Sequence, residues 1–391
     1  MANYVLLSKT AALPPVDPEL NVGFMAMSDI QAPLVATRDV ARADVADAVR
    51  DPDVVAIAPI MPTLLIRPLD HVDGEAAATG SAWGIPAVGA DLSSFTGAGV
   101  TVAVLDTGID AAHPAFAGVD IVERDFTGDG NGDAVGHGTH CAGTILGRPV
   151  GGTRIGVAPG VERLLVGKVL DNQGRGDSAM LFDAMQWAIE NGADVISMSL
   201  GFDFPGMVRR LVDQGYAIEP ATSAALEAYR ANMRMFDALM GMIQAGAPFE
   251  RDAIVVVAAG NESTRDADPA YEIAASLPAA AFNVISVAAL QQATAGKFTV
   301  TSFSNNMAVL SAPGLGILSA KAGGGLTMMS GTSMACPHVA GVAALWWEFF
   351  RAQGLRPNAE NVKAKLRATS RSNVVVDADE ADVGLGMVTA P

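Results

Sequence analysis

Gly99-Val100-Thr101-Val102-Ala103-Val104-Leu105-Asp106-Thr107-Gly108 sets the reading of this chain. Val102 to Leu105 is an unbroken apolar run of strand length that stops at an acidic residue and a glycine turn. An unbroken run means burial on both faces, as in a parallel sheet covered by helices. Outward from it the same pattern returns at Leu164–Leu170, Val195–Leu200, Ile254–Ala259 and Val284–Ala289. Between two of these lies Asp177–Glu190, with Met180, Ala184, Trp187 and Ala188 at helical spacing. Strands alternating with helices imply an α/β domain with a mostly parallel sheet flanked by helices. In such sheets functional groups gather where strands end and loops begin.

The totals agree with that class. The 391 residues suffice for one large and one small unit, half are apolar, and 17% are charged. A formal net charge of −17 argues against nucleic acid or an anionic membrane as a partner and is read as solubility. Two cysteines, Cys141 and Cys336, are too few for a disulfide framework, so free buried thiols are expected. No apolar stretch is long enough to span a membrane. The first residues lack the basic and apolar regions of a signal peptide, so a cytoplasmic location is expected.

The strand ends carry the chemistry. Asp106 closes the first run; alone it reads as the carboxylate of an Asx turn. Gly136-His137-Gly138-Thr139-His140 sets an imidazole between glycines. His137 and His140 stand three apart, but the His-Glu-x-x-His pattern of zinc proteases is missing. Val257-Ala258-Ala259-Gly260-Asn261 delivers a carboxamide at the end of an apolar strand. Met329-Ser330-Gly331-Thr332-Ser333 follows a glycine-rich loop and opens the apolar run Val339 to Phe350. Ser333 thus starts a buried helix, where a serine serves as a cap or, beside free N–H groups, as part of an anion site. A serine nucleophile needs a base, the base needs a carboxylate, and the oxyanion needs a donor. Asp106, His137, Ser333 and Asn261 fill those four requirements in chain order.

With these motifs in hand, Asp106-Thr-Gly, His137-Gly-Thr-His, Ala-Ala-Gly260-Asn261 and Gly-Thr-Ser333-Met-Ala resemble the signatures of the subtilisin-like serine proteases. The similarity runs from about Trp83 to the chain end. The resemblance implies the subtilisin fold, peptide hydrolysis through an acyl-enzyme, and a polypeptide substrate. It implies that Asp106 orients the base His137, that Ser333 is the nucleophile, and that Asn261 joins the Ser333 N–H in the oxyanion hole. Gly174-Arg175-Gly176 and Ser199-Leu200-Gly201 resemble the two strands that sandwich a bound substrate. Ala258, Ala259 and Gly260 would line the S1 pocket, with Ser276 at its floor.

Departures from the family are as informative. His113-Pro114 is followed by Ala115 where the family's tight calcium site has an aspartate. Arg148-Pro-Val-Gly-Gly-Thr-Arg154 offers two cations where further ligands would stand. That site is expected to be lost. Asp125, Asp129 and Asp133 in a glycine-rich turn are the remaining calcium candidates; the same turn also reads as a solvated loop before His137. No cofactor is expected to be required. The stretch 202–253 is longer than in compact members and carries one extra helix, Ala221–Gln244. It either shapes the cleft or is padding.

Residues 1–76 read as a separate α+β unit: strands at Tyr4–Leu7, Val22–Met27 and Val54–Ile60, a helix at Asp44–Arg50 and an edge strand at Leu64–Ile66. A soft stretch, Asp73–Ser81, marks the boundary with a catalytic domain over 77–391. By position and size the unit resembles the family's propeptide, an intramolecular inhibitor removed by a cut between about Leu69 and Ala82. Two other readings accompany this one: a processing protease dedicated to one precursor, and a catalytically silent scaffold.

Overall fold

Alternate residues of the central strands belong to two different cores. Val102, Val104, Leu164, Val166, Ile254 and Val256 join one cluster, while Ala103, Leu105, Leu165, Val255 and Val257 join the other. This is the period of two of a β-strand applied to a sheet buried on both sides, which is why the runs show no polar alternation. The computed structural model describes residues 2–8, 34–40, 44–72, 80–247 and 252–391.

The eight-stranded sheet runs, across its main path, Phe298–Val300, Ile285–Gln292, Ile254–Ala258, Val195–Met198, Thr101–Asp106, Arg163–Lys168 and Asp120–Asp125. Leu310–Pro313 pairs beside Ile285–Gln292. All pairings are parallel except that of Phe298–Val300. Helices His137–Leu146 and Thr332–Ala352 pack on one face, and Ser178–Glu190 and Ile218–Ala245 on the other. The α/β architecture expected from the sequence is therefore the one observed.

Several boundaries differ from the reading above. Val195–Leu200 is not one strand. Val195–Met198 stays in the central sheet, Ser199 breaks away, and Leu200–Phe202 joins a separate three-stranded sheet. The insertion holds two helices rather than one, Phe204–Asp213 and Ile218–Ala245. Asp203 caps the first by accepting the Gly206 N–H, with Pro205 inside its first turn, a helix start signal carried by the sequence itself.

The N-terminal residues form an antiparallel sheet ordered Leu34–Val40, Ala2–Ser8, Val54–Pro59, with the helix Val45–Arg50. The strand Leu34–Val40 was not foreseen, and the expected strand Val22–Met27 lies outside the described residues. This sheet leans on the other face of the body. Asn232 Nδ2 donates to Pro59 O at 2.8 Å, and the Val35 N–H donates to Gln186 Oε1 at 2.6 Å. The segment read as an edge strand of this unit does not belong to its sheet. Pro62–Leu65 is the middle strand of the sheet Arg175–Asp177, Pro62–Leu65, Leu200–Phe202, antiparallel to both neighbours.

Candidate active site

The ends of three parallel strands and the starts of two helices meet at one place. Asp106 is the last residue of its strand and His137 the first of its helix; each is 1% exposed. The glycines make that approach possible. A Cβ on Gly138 would lie 2.2 Å from Gly108 O, so only glycine lets the two loops touch. His137 Nδ1 sits 2.8 Å from Asp106 Oδ1, and the same oxygen accepts the Thr107 N–H at 2.7 Å. A carboxylate facing Nδ1 fixes the proton on that nitrogen. His137 Nε2 is buried and without a hydrogen-bond partner.

Ser333 is the second residue of the helix Thr332–Ala352, so it sits in the first turn rather than capping it; the cap position is Gly331. Pro337 removes the N–H that would pair with the Ser333 carbonyl four residues back. That carbonyl instead accepts from Ser199 Oγ at 3.3 Å and from the Cys141 thiol at 3.4 Å. The loop Ser199 and the helix bearing His137 are thereby tied to the serine backbone.

Asn261 is oriented by its neighbour. Its Oδ1 accepts both the N–H and the hydroxyl of Thr332, each at 2.9 Å, which turns the NH₂ toward the cleft. A Cβ on Gly331 would stand 2.8 Å from that nitrogen, so glycine is needed for it to approach the serine turn.

The cleft is filled by the chain itself. Pro62–Leu65 lies between the Arg175–Asp177 and Leu200–Phe202 strands, with Leu64 opposite Arg175 and Gly201. Leu65 N donates to Gly174 O at 2.9 Å, and a Cβ on Gly174 would lie 3.1 Å from the Leu65 Cβ. At the end of this strand Ser333 Oγ donates to Ile66 O at 3.1 Å, and Asn261 Nδ2 donates to Arg67 O at 3.0 Å. Beyond it Leu69–Val72 pairs antiparallel with Leu326–Ser330. Ala258 and Ala259 are buried behind the slot, and Ser276 lies with Gly201 beside Ile66.

The structure thus gathers Asp106, His137, Ser333, Asn261, Gly174, Arg175, Gly176, Ser199, Leu200, Gly201 and Ser276 around one segment. It does not gather Asp125, Asp129 and Asp133. Asp125 accepts the N–H groups of Thr127, Gly128 and Gly130, and Asp129 accepts that of Asn172. Asp133 accepts from the hydroxyls of Thr107 and Thr139 and the N–H groups of Gly136 and Thr139. These three carboxylates close turns instead of converging, and Asp133 braces the loops of Asp106 and His137. Among the described residues the one group of metal-ligand side chains is Asp106, His137 and Cys141. There Nδ1 is engaged by Asp106, and burial pushes the Cys141 thiol well above its ordinary pKa, keeping it protonated. Both cysteines are buried and unbridged.

The supporting shell escaped the sequence reading. Lys168 is 2% exposed, and its ammonium donates to Thr107 O at 2.6 Å and to Asn172 Oδ1 at 3.1 Å. A cation ending an apolar strand was the available signal. Thr332 was visible within Gly-Thr-Ser, but its hold on Asn261 joins residues far apart in sequence.

Residues 97–386 match the model of the subtilase family. The chain belongs to the subtilase family. Among its relatives, an intracellular serine protease of Paenibacillus polymyxa is 39% identical over 256 residues, covering 64% of this chain and 67% of that protein. Subtilisin DY of Bacillus licheniformis is 31% identical over 271 residues, or 67% of this chain and 83% of the relative. Subtilisin-like protease 7 of Trichophyton tonsurans is 34% identical over 277 residues, and the match spans 57% of its length. As a subtilase the chain is a serine endopeptidase, a hydrolase of polypeptides. Among the described residues of this subtilase, no helix is long and apolar enough to cross a membrane.

Proposed function

We propose that this serine endopeptidase works through Asp106, His137 and Ser333, with Asn261 as an oxyanion donor, and is made as a self-inhibited precursor. One observation carries the reading: a segment of the chain's own backbone lies in the slot with successive carbonyls on Ser333 Oγ and Asn261 Nδ2. A strand held by main-chain pairing on both sides is how an extended substrate would be bound irrespective of its side chains.

In the proposed reaction His137 Nε2 takes the Ser333 hydroxyl proton as Oγ attacks the scissile carbonyl. Asp106 keeps Nδ1 protonated and stabilises the imidazolium. Asn261 Nδ2 and the Ser333 N–H at the helix start hold the oxyanion, and His137 returns its proton to the leaving amine. Water then cleaves the acyl-enzyme by the same route. No step draws on a metal or a cofactor.

The resting geometry supports inhibition rather than turnover. The carbonyl at Asn261 belongs to Arg67 and the one at Ser333 to Ile66, so no single peptide bond faces both groups. The Ser333 hydroxyl is spent on Ile66 O instead of His137. Residues 1–76 would serve as the inhibitory unit and 77–391 as the catalytic domain. The Paenibacillus relative's name and two unbridged, buried thiols favour an intracellular enzyme.

Mass spectrometry of wild type beside Ser333→Ala tests this. Wild type is expected to lose an N-terminal piece of about 70–80 residues at the soft, polar stretch, while the variant stays whole. Labelling of wild type alone by an organofluorophosphonate tests the nucleophile separately. Wild type that stays unlabelled after losing that piece would sink the triad; a labelled but uncut one would sink only self-processing.

A further inference from the structure

A cavity of about 620 Å³ flanks the filled slot and remains open with the segment in place. One side of it is the occupied strand, Leu64 to Ile66, and the adjoining Gly201. A second side is the loop of Ile273, Ala274 and Ser276, with Glu262 and Asn305. The far side comes from the insertion: Phe204, Leu226 and Tyr229, with Arg209 paired to Asp203 beside them. Ile66 lines it next to Gly201 and Ser276. A Cβ on Gly201 would lie 3.8 Å from Ile66 Cγ1 and 3.9 Å from Ser276 Oγ, so both atoms border one space. On the insertion wall Leu226, and on the facing loop Ile273, each keep 47% of their surface exposed with the segment in place.

The insertion wall is anchored to the loop it faces. The Tyr229 hydroxyl accepts the Leu277 N–H at 3.0 Å, next to Ser276, and the Tyr229 ring meets Phe204 edge-on at 6.2 Å. These contacts tie the two helices to each other and to the floor of the pocket.

We propose that the helices of the insertion form the outer wall of the pocket receiving the substrate side chain that stands where Ile66 stands. The occupant is a bulky apolar or aromatic side chain of a polypeptide substrate, long enough to pass Ser276 and touch Leu226. This rests on the endopeptidase reading above and assigns the insertion a selecting role. Its support is continuity: Ile66, Ser276 and the insertion residues line one cavity that stays open with the segment in place. A phenyl ring gains contacts across that space that isoleucine and alanine do not make, and discrimination of this kind is limited to about 10–200-fold.

The test compares hydrolysis of peptides differing only at that position, Ala or Phe, by the full chain and its Leu226→Trp and Leu226→Ala variants. Leu226 is part-exposed, so neither change disturbs the core. In Leu226→Trp the indole occupies the cavity, and the Phe-to-Ala ratio of kcat/KM is expected to fall about tenfold or more. In Leu226→Ala it is expected to fall about threefold through lost contact. Equal ratios in the three proteins, or both peptides falling together, overturn the assignment while organofluorophosphonate labelling of Ser333 leaves the endopeptidase reading standing. A preparation freed of its N-terminal piece that neither cuts a peptide nor takes the label overturns that reading and this one with it.

Discussion

The two walls of the cleft are built differently. The wall formed by strand ends carries Asp106, His137, Ser333 and Asn261, and the first three are at most 1% exposed. Its shape is held by short main-chain approaches that permit only glycine and by side chains each bonded to the next. The wall formed by the insertion presents Phe204, Leu226 and Tyr229 to open space, and one hydrogen bond, from the Leu277 N–H, ties Tyr229 to the opposite loop. A group that must be placed to a fraction of an ångström sits where the backbone is overdetermined; a surface that only has to fit a side chain does not need it. Changes on the first wall should therefore lower kcat for every substrate, and changes on the second should redistribute preference.

The largest effect expected is on the first wall. Ser333→Ala should lower kcat roughly 10⁶-fold, the scale established for subtilisin itself, with the substrate affinity kept. Retention of more than a small residue of activity would break the comparison at its base. Asn261→Ala is expected to cost roughly 10²–10³-fold in kcat with little change in KM, again the scale established for subtilisin. A rise in KM alone would mean that Asn261 binds ground state and transition state alike.

Acid should reach the first wall through the buried histidines of its helices, which 202–253 lacks. Burial first of all pulls His140 down to about 3 and His338 down to about 4, from 6.5. Both stay neutral when folded, so their contribution is complete above 6.5 and is lost as pH falls from 6.5 toward those values. At pH 5 each should remove about 2 kcal/mol of stability, because the unfolded chain takes up the proton and the fold does not. Urea unfolding at pH 7 and pH 5 reads this, and His338→Gln should flatten the slope by its own share. An unchanged slope would mean that the histidines do not govern it.

Thr332→Val removes the hydroxyl that Asn261 accepts and on which the Gly260 N–H also rests. It should lower kcat about tenfold, one hydrogen bond's worth of orientation, and leave KM alone. The smallest shift belongs to the second wall: Tyr229→Phe, which unties Leu277, is expected to raise KM about threefold with kcat kept. If kcat fell instead, the two walls would not be separable, and the insertion would be part of the catalytic frame.

Much of the first wall is legible in the sequence. The strand runs, the glycine-flanked His137, the carboxamide at the end of a strand and the serine at a helix start are all local patterns, because backbone geometry imposes them within a few residues. What escaped was what depends on partners distant in the chain. Asp133 looked like a calcium candidate because its carboxylate was visible and the Thr107 and Thr139 groups that claim it were not. Pro62–Leu65 looked like the edge of the N-terminal unit because a short apolar run carries no mark of which sheet will pair with it.

By itself, then, the sequence determined the α/β frame, the family and the four residues of the proposed chemistry, since periodicity and glycine-bound motifs are properties of neighbouring residues. Tertiary structure alone decided which carboxylates serve the loops, that the chain's own segment fills its cleft, and that two helices of the insertion face the open pocket. Those outcomes come from long-range pairing and packing, where an apolar run or a carboxylate has several possible partners and only the folded arrangement selects one.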